Sequence, residues 1–221
     1  MELSREITLI QQIGRETEYK EDISAVFDHG MIVAMLTEIM AKRLSLSAEE
    51  TEDIAKASML HDVGKLRLSA YLYGRNAEFM DIDEIKYSRM HPVLSRDIAA
   101  KSGLYNDNIL KYIYYHHENE DGTGYPERLS GDAIPKGAKV LHVCDTFVSL
   151  VSERPFRRAY AIDTALVIMS LEARNYDIRL FMLLIDIIYS EEFETVNRFI
   201  AQANERFLMQ ASDKKVKERE N

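Results

Sequence analysis

Residues 116–126 read His116-His117-Glu118-Asn119-Glu120-Asp121-Gly122-Thr123-Gly124-Tyr125-Pro126. Two adjacent histidines stand beside acidic residues, and imidazole together with carboxylate suits iron, zinc or manganese. The glycines permit close backbone approaches that bulkier residues block. The preceding residues predict a helix that ends at the histidine pair, so the stretch predicts a metal-binding loop at a helix end.

A second cluster of polar residues lies upstream, in the sequence His61-Asp62-Val63-Gly64-Lys65. It follows an apolar helical segment that Ser47 and Glu50 open as a capping box, and Gly64 can end that helix. A bare His-Asp pair is more often a local hydrogen-bonded pair than a metal site. The histidines downstream shift the balance toward metal binding.

The chain has six histidines, and the remaining ones stand in helical segments or at their ends. His29 lies four residues before Val33, on the apolar face of a helix predicted from about residue 23 to residue 44. A lone histidine on such a face is more often a core residue than a ligand. His91 stands directly before Pro92, where a helix begins or breaks. Asp145 lies in an apolar helix predicted over 138–152, where burial is costly unless the carboxylate is paired or bound to metal.

Composition restricts the protein class. The chain has 221 residues, a net charge of -9 and a single cysteine, Cys144, so an internal disulfide is impossible. An acidic chain is a poor candidate for binding a nucleic acid polymer. The charged first ten residues are unlike a signal peptide, and no apolar run reaches the ~20 residues of a membrane span. We therefore expect a cytoplasmic protein without a membrane segment.

The hydrophobic pattern is helical throughout and shows no strand alternation, which predicts an all-α fold. The first helix, over residues 2–20, is amphipathic and serves either internal packing or a homodimer contact. Residues 66–80 are expected to be irregular. A last helix is expected over about 191–210, followed by a charged tail. The Gly- and Pro-containing segment 118–137 is long for a loop, which favours a functional role.

Five motifs in order make the chain resemble the HD-GYP family, a branch of the HD superfamily of metal-dependent phosphohydrolases. The resemblance implies an HD-domain helical bundle extended by a GYP loop, and hydrolysis of a cyclic dinucleotide, usually cyclic di-GMP. It places an N-terminal helix at 1–20, the HD-GYP domain at 21–190 and a C-terminal helix with a charged tail at 191–221. The motifs are HDVGK (61–65), HP (91–92), HHENEDGTGYPERLSGDAIP (116–135), CDTFVSL (144–150) and SERPFR (152–157).

The resemblance also implies a ligand set for two divalent metal ions, with iron or manganese favoured and zinc possible. One ion takes His29, His61 and Asp145, and Asp62 bridges to the second. The second ion is completed by three further histidines, His91, His116 and His117. His142 is left over and is read as structural. Some family members place a glutamate where this chain has Ala25, so we expect no third ion.

By the same resemblance, Asp62 and Lys65 are the catalytic residues, and Lys65 contacts the scissile phosphate. Tyr125 lines the substrate pocket, and Arg154 and Arg157 bind phosphates or guanine edges. A solvated loop is the alternative reading of the arginine-rich run at 154–158. The family often has an acidic residue where this chain has Val148, which leaves the choice of nucleotide open.

The expected reaction is phosphodiester hydrolysis, in which two metal ions activate a bridging water to hydroxide. The leading hypothesis is therefore a cyclic di-GMP phosphodiesterase. One alternative is a sensor that binds a cyclic dinucleotide without hydrolysing it. Another is an HD phosphohydrolase that acts on a different nucleotide, such as a hybrid cyclic GMP-AMP or a mononucleotide. A purely structural helical protein is the remaining reading.

Overall fold

The computed structural model describes residues 3–15, 20–72, 86–155 and 157–220, and they form a helical bundle. Within these ranges no β-strand forms, and Arg154 and Arg157 make an isolated antiparallel bridge. The all-α prediction is confirmed. The helices are α1 (Ser4–Arg15), α2 (Lys20–Arg43), α3 (Ala48–Leu60), α4 (Lys65–Leu72), α5 (His91–Ser102), α6 (Asp107–Tyr115), α7 (Lys136–Val151), α8 (Ile162–Leu171), α9 (Ile178–Ile188) and α10 (Glu194–Glu220).

Helix α2 lies at the centre of the bundle and packs against α1, α3, α4, α7, α9 and α10. Several of its apolar residues, among them Val33, Leu36 and Met40, are fully buried. Segment Ile23–Arg43 is long and apolar enough to cross a membrane by length and composition alone, although half of its most apolar stretch is buried in the bundle. The central position accounts for this composition, and the expected absence of a membrane segment stays a prediction.

Helices α2 and α3 make the most extensive contact in the bundle, and a glycine brings them close together. A Cβ atom on Gly30 would lie 2.7 Å from the carbonyl oxygen of Met59. This distance is too short for any side chain, so residue 30 must be glycine for the helices to approach this closely. The approach places His29 of α2 beside His61, which follows α3.

Helix α1 packs within the chain against α2 and α3, and Ile10 is fully buried there. The apolar face of α1 that contains Ile10 therefore serves internal packing, which was one of the two roles expected for this helix. The homodimer stays a prediction, as do the domain boundaries at residues 20 and 190.

Two predicted boundaries differ from the structure. Residues 65–72 form α4 instead of an irregular segment, because Lys65 to Leu72 contains good helix formers and the chain turns only briefly after α3. The rest of the predicted irregular segment, 73–80, lies outside the described residues. Helix α10 continues to Glu220, ten residues beyond its predicted end, and takes in most of the charged tail, which is rich in lysine and glutamate.

Candidate metal centre

All seven predicted ligand side chains converge between five helices of the bundle. Helix ends supply most of them, since His61 caps the C-terminus of α3, His91 begins α5 and His116 caps the C-terminus of α6. Polar side chains at helix ends can lean into the bundle without interrupting a helix. The set is His29, His61, Asp62, His91, His116, His117 and Asp145, and six of the seven are buried while His117 is half-buried.

One half of the centre is built around Asp145 and His29. The Nε2 atom of His29 lies 2.8 Å from Oδ1 of Asp145, and Nε2 of His61 lies 3.4 Å from the same oxygen. Oδ2 of Asp62 is 3.5 Å from Nε2 of His61 and 3.7 Å from Nε2 of His29. These distances form a compact group of nitrogen and oxygen donors that one ion can bridge.

The other half consists of three histidines that meet at their Nε2 atoms. Nε2 of His91 lies 3.2 Å from Nε2 of His116 and 3.1 Å from Nε2 of His117. Oδ1 of Asp62 lies 3.2 Å from Nε2 of His91. Asp62 therefore faces one group with each of its two oxygens, which is the arrangement that a bridging carboxylate needs.

Backbone carbonyls set the tautomer of three of these histidines. Nδ1 of His61, His91 and His116 each lies 2.6 Å from the carbonyl oxygen three residues earlier. Because a carbonyl only accepts, each Nδ1 carries the proton and the Nε2 lone pair points into the centre. Two lone pairs 3.2 Å apart, on His91 and His116, cannot hydrogen bond and repel each other. A cation between them removes that repulsion, so the donor set fits a metal.

Two further atoms support that fit. Nε2 of His61 and Oδ1 of Asp62 are buried and have no hydrogen bond partner among the described residues. Buried polar atoms without a partner are rare, because they lose their hydration without compensation. A metal ion bound by these atoms would compensate both.

Burial keeps most of the imidazoles neutral, which is the form that binds metal. Burial lowers the pKa of His29 and His91 to about 4. It also lowers the pKa of His116 and His117 well below the ordinary value, and neighbouring histidines add to the effect. Burial acts in the same direction on His61, but the two carboxylates outweigh it and raise its pKa.

Both carboxylates remain charged in the centre. Burial alone raises the pKa of Asp62, but Lys65 and the nearby histidines outweigh it and hold the pKa well below the ordinary value. The pKa of Asp145 is also well below the ordinary value, since the hydrogen bond with His29 and the nearby imidazole of His61 outweigh the effect of burial. Neutral imidazoles with charged carboxylates match the preferences of divalent metals.

Gly64 lets the two ligand-bearing turns meet. A Cβ atom on Gly64 would lie 2.6 Å from the carbonyl oxygen of His91 and 2.8 Å from the amide nitrogen of Ser95. The amide of Gly64 also donates to Oγ of Ser95 over 2.8 Å. The missing side chain thus allows the turn that carries His61 and Asp62 to approach the start of α5.

The loop after His117 is held by Glu118, a residue for which no role was predicted. Its buried carboxylate accepts the backbone N–H of Glu127 at 2.7 Å and of Leu129 at 2.9 Å. The ring of Tyr125 stacks on His117 with centroids 4.8 Å apart. The sequence does contain a signal for this role, because the carboxylate of Glu118 directly follows two predicted ligands and begins a glycine-rich loop. Glu118 thus fixes the loop that brings Tyr125 to the centre.

The predicted cationic residues take different places. Nζ of Lys65 lies 2.6 Å from Oδ2 of Asp62. Arg154 donates to Oγ of Ser149 over 3.0 Å, and that hydroxyl lies 3.3 Å from Oδ1 of Asp145. The guanidinium of Arg157 donates instead to the backbone carbonyls of Ser149 and Leu150. Lys65 and Arg154 therefore stand beside the centre, whereas Arg157 is bound to the end of α7.

His142 lies behind the centre. Its Nδ1 is 2.8 Å from the carbonyl oxygen of His116, and its ring packs on Tyr176 with centroids 5.2 Å apart. The structural role expected of His142 stays a prediction.

Comparison with known proteins gives the family. The sequence profile described as the HD domain matches residues 9–180, which is more than half of the chain. The chain belongs to the HD-domain family. The match contains all seven converging side chains, and with the relatives described next it confirms the predicted resemblance to the HD-GYP branch.

Two curated relatives are named for cyclic dinucleotide hydrolysis. The cyclic di-GMP phosphodiesterase response regulator RpfG of Xanthomonas campestris is 32% identical and aligns with 73% of this chain and 42% of its own length. A 3'3'-cGAMP-specific phosphodiesterase of Vibrio cholerae is 30% identical over 73% of this chain and 34% of its own length. The chain thus spans less than half of either relative.

A solved structure shares the fold. An HDG"Y"P protein from Bdellovibrio bacteriovorus superposes with a TM-score of 0.62 at 17% identity, over 76% of this chain and 54% of that protein. At this identity the likeness concerns the fold alone, and it agrees with the all-α HD bundle.

Proposed function

We propose that the protein is a metal-dependent phosphodiesterase that hydrolyses a cyclic dinucleotide. The observation that carries the proposal is the pair of donor groups that share Asp62, together with the Nε2 lone pairs of His91 and His116, which face each other at 3.2 Å. The names of the curated relatives support the substrate class. A structural protein has no use for so many buried, mutually repelling donor atoms.

We propose two divalent ions in this centre, one for each donor group, with iron or manganese favoured and zinc possible. His29, His61 and Asp145 would hold one ion, Asp62 would bridge, and the three histidines of the other half would hold the second. When bound, such ions supply a water of lowered pKa as nucleophile and neutralise phosphate charge. Ala25, one helical turn before His29, offers no donor for a third ion.

The chain's own residues bind and orient the phosphodiester. Lys65 stands 2.6 Å from Asp62, so a phosphate at the centre meets its ammonium group. Arg154 supplies a second positive charge beside Asp145. The ring of Tyr125, fixed on His117, forms one wall on which a base or ribose can pack. These groups explain how a chain with a net charge of -9 accepts an anionic substrate.

Cyclic di-GMP is the first substrate that we propose, and 3'3'-cGAMP is the second. The second is favoured by the Vibrio cholerae relative, whose name specifies it. Val148 does not decide between them, because its side chain is fully buried in the core. The base must be selected by residues around the mouth of the centre, such as Tyr125.

A substrate panel tests the proposal. The protein reconstituted anaerobically with ferrous iron or manganese is incubated with cyclic di-GMP, 3'3'-cGAMP and a mononucleotide, and products are separated by chromatography. We expect a linear dinucleotide or mononucleotides from a cyclic dinucleotide. Turnover of the mononucleotide alone would replace the proposal by an HD phosphohydrolase of another specificity. Tight binding of a cyclic dinucleotide without product would replace it by the sensor.

A further inference from the structure

The last helix of the chain is bonded to the segment that carries Arg154. The side-chain amide of Asn204, on α10, accepts the backbone N–H of Glu153 at 2.8 Å through Oδ1. Its Nδ2 donates to the carbonyl of Val151 at 3.0 Å. Helix α10 lies beyond the residues that match the HD family, which end at 180.

These bonds complete the capping of α7. The last four carbonyls of a helix have no partner within it, and here each one receives a donor from nearby. Ser152 donates to the carbonyl of Val148 over 2.7 Å. Arg157 donates to those of Ser149 and Leu150, and Asn204 donates to that of Val151. The end of α7 is therefore fixed by three side chains, one of which comes from a distant helix.

The end of α7 determines where Arg154 lies. Its guanidinium reaches Ser149, one helical turn after Asp145, over 3.0 Å. Asn204 hydrogen bonds to the backbone N–H of Glu153, the residue before Arg154, and to the backbone carbonyl of Val151, the last residue of α7. These two bonds and the bridge between Arg154 and Arg157 hold the backbone around Arg154.

Helix α10 is also bonded to α2, the helix that carries His29. Arg206 forms an ion pair with Asp28 over 3.0 Å, and Asp28 directly precedes the predicted ligand His29. An ion pair at a partly exposed site contributes little free energy. The ion pair joins α10 to α2, and Arg206 stands two residues after Asn204 on α10.

We propose that Asn204 is a positioning residue, which holds Arg154 beside the metal centre and so makes α10 part of the substrate site. The inference rests on the proposed function for its kinetic consequence, since Arg154 then binds a phosphate of the cyclic dinucleotide. Asn204 touches neither the metal ligands nor the substrate. Its loss therefore weakens substrate binding and leaves the chemical step intact.

The kinetic test compares Asn204→Ala with Gln202→Ala, which alters an exposed amide on the same helix. Alanine preserves the helix, so the variant folds. A hydrogen bond to a charged group is worth about tenfold to a hundredfold in affinity, and we expect Asn204→Ala to raise KM by about three- to tenfold. We expect kcat and the bound metal, measured by mass spectrometry, to stay within about twofold of the wild type, and Gln202→Ala to change none of them.

A double-variant cycle with Arg154→Ala isolates the positioning role. If Asn204 acts through Arg154, Asn204→Ala raises KM no further in the Arg154→Ala background. An equal rise in both backgrounds, or a loss of bound metal, would overturn the proposal in favour of a general effect on stability.

A nuclear magnetic resonance measurement keeps the test independent of activity. The Arg154 side-chain Nε–H signal is assigned by its absence in Arg154→Ala and then compared between variants. We expect it to move toward the position of a free arginine in Asn204→Ala and to stay in place in Gln202→Ala. An unmoved signal in Asn204→Ala would overturn the positioning role. A moved signal in a protein that hydrolyses no cyclic dinucleotide would refute the proposed function and leave the positioning role standing.

Discussion

Replacing Gly64 by alanine tests whether the close contact between the two ligand-bearing turns builds the metal centre. The added Cβ atom would lie 2.6 Å from the carbonyl oxygen of His91 and 2.8 Å from the amide nitrogen of Ser95. Both atoms belong to the backbone, so no side-chain rotation relieves the contact. Reaching an ordinary contact of 3.4 Å requires the turn and α5 to separate by about 0.8 Å, the difference between 3.4 and 2.6 Å.

That separation has a cost in stability and in metal binding. Overpacking of this kind destabilises a fold by about 1–3 kcal/mol. The movement carries His91 away from Asp62, and Nε2 of His91 now lies 3.2 Å from Oδ1 of Asp62. It also strains the hydrogen bond from the amide of Gly64 to Oγ of Ser95. Mutations of residues that orient a metal ligand typically lower metal affinity by about 10- to 100-fold. We expect a loss of about that size for the ion proposed to be held by His91, His116 and His117.

The assay is metal content by mass spectrometry after dialysis at graded free manganese, together with thermal unfolding of the apo-protein. Ser95→Ala is the matched control, since it removes the bond to Gly64 without adding volume and should cost only about 1 kcal/mol. Gly64→Ala protein that binds two ions with wild-type affinity and unfolds at the wild-type temperature would refute the role of this contact.

Three further predictions follow from the same structure. Glu118→Gln leaves the N–H of Glu127 or Leu129 without an acceptor. The free energy of unfolding, measured by denaturant titration, should therefore fall by about 1–3 kcal/mol, and turnover should drop. Unchanged stability would contradict the role of Glu118. In the apo-protein, His29 and His91 have pKa values of about 4, below the unfolded value of 6.5, so the unfolded state binds more protons between these pH values and stability falls as pH is lowered. From pH 7 to 5 the loss should be roughly 2 kcal/mol for each histidine, and a flat urea-unfolding profile would refute it. Chelation should lower the melting temperature, because an ion at 100 times its dissociation constant contributes about 2.7 kcal/mol, and an unchanged melting temperature would argue against a metal centre.

The helical class followed from local patterns in the sequence, and the set of converging side chains followed from the family resemblance that five motifs carry. The apolar period of three and four residues predicts helices, and the histidine and aspartate positions are read from short motifs. His29 shows the limit of that reasoning. On its own helix it looks like a core residue, and only the motifs of distant segments identify it as a candidate ligand.

The supporting contacts could not be predicted, since they join residues that are far apart in the chain. Asn204 meets Val151 and Glu153 only because α10 packs beside the end of α7. The sequence places Arg157 among basic residues suited to a substrate, but its guanidinium is engaged by backbone carbonyls that the fold presents to it. Its substrate role stays a prediction. Helix α4 was not predicted, although Gly64 does lie in the turn that separates it from α3.

The most direct test of the account is the product formed from cyclic di-GMP and 3'3'-cGAMP by the protein reconstituted anaerobically with ferrous iron or manganese, beside Asp62→Ala. Asp62 faces both donor groups, so its loss should remove both ions and abolish turnover. Circular dichroism confirms that the variant remains helical. We expect a linear dinucleotide or mononucleotides from the wild type and none from Asp62→Ala. Equal product from both proteins would contradict it.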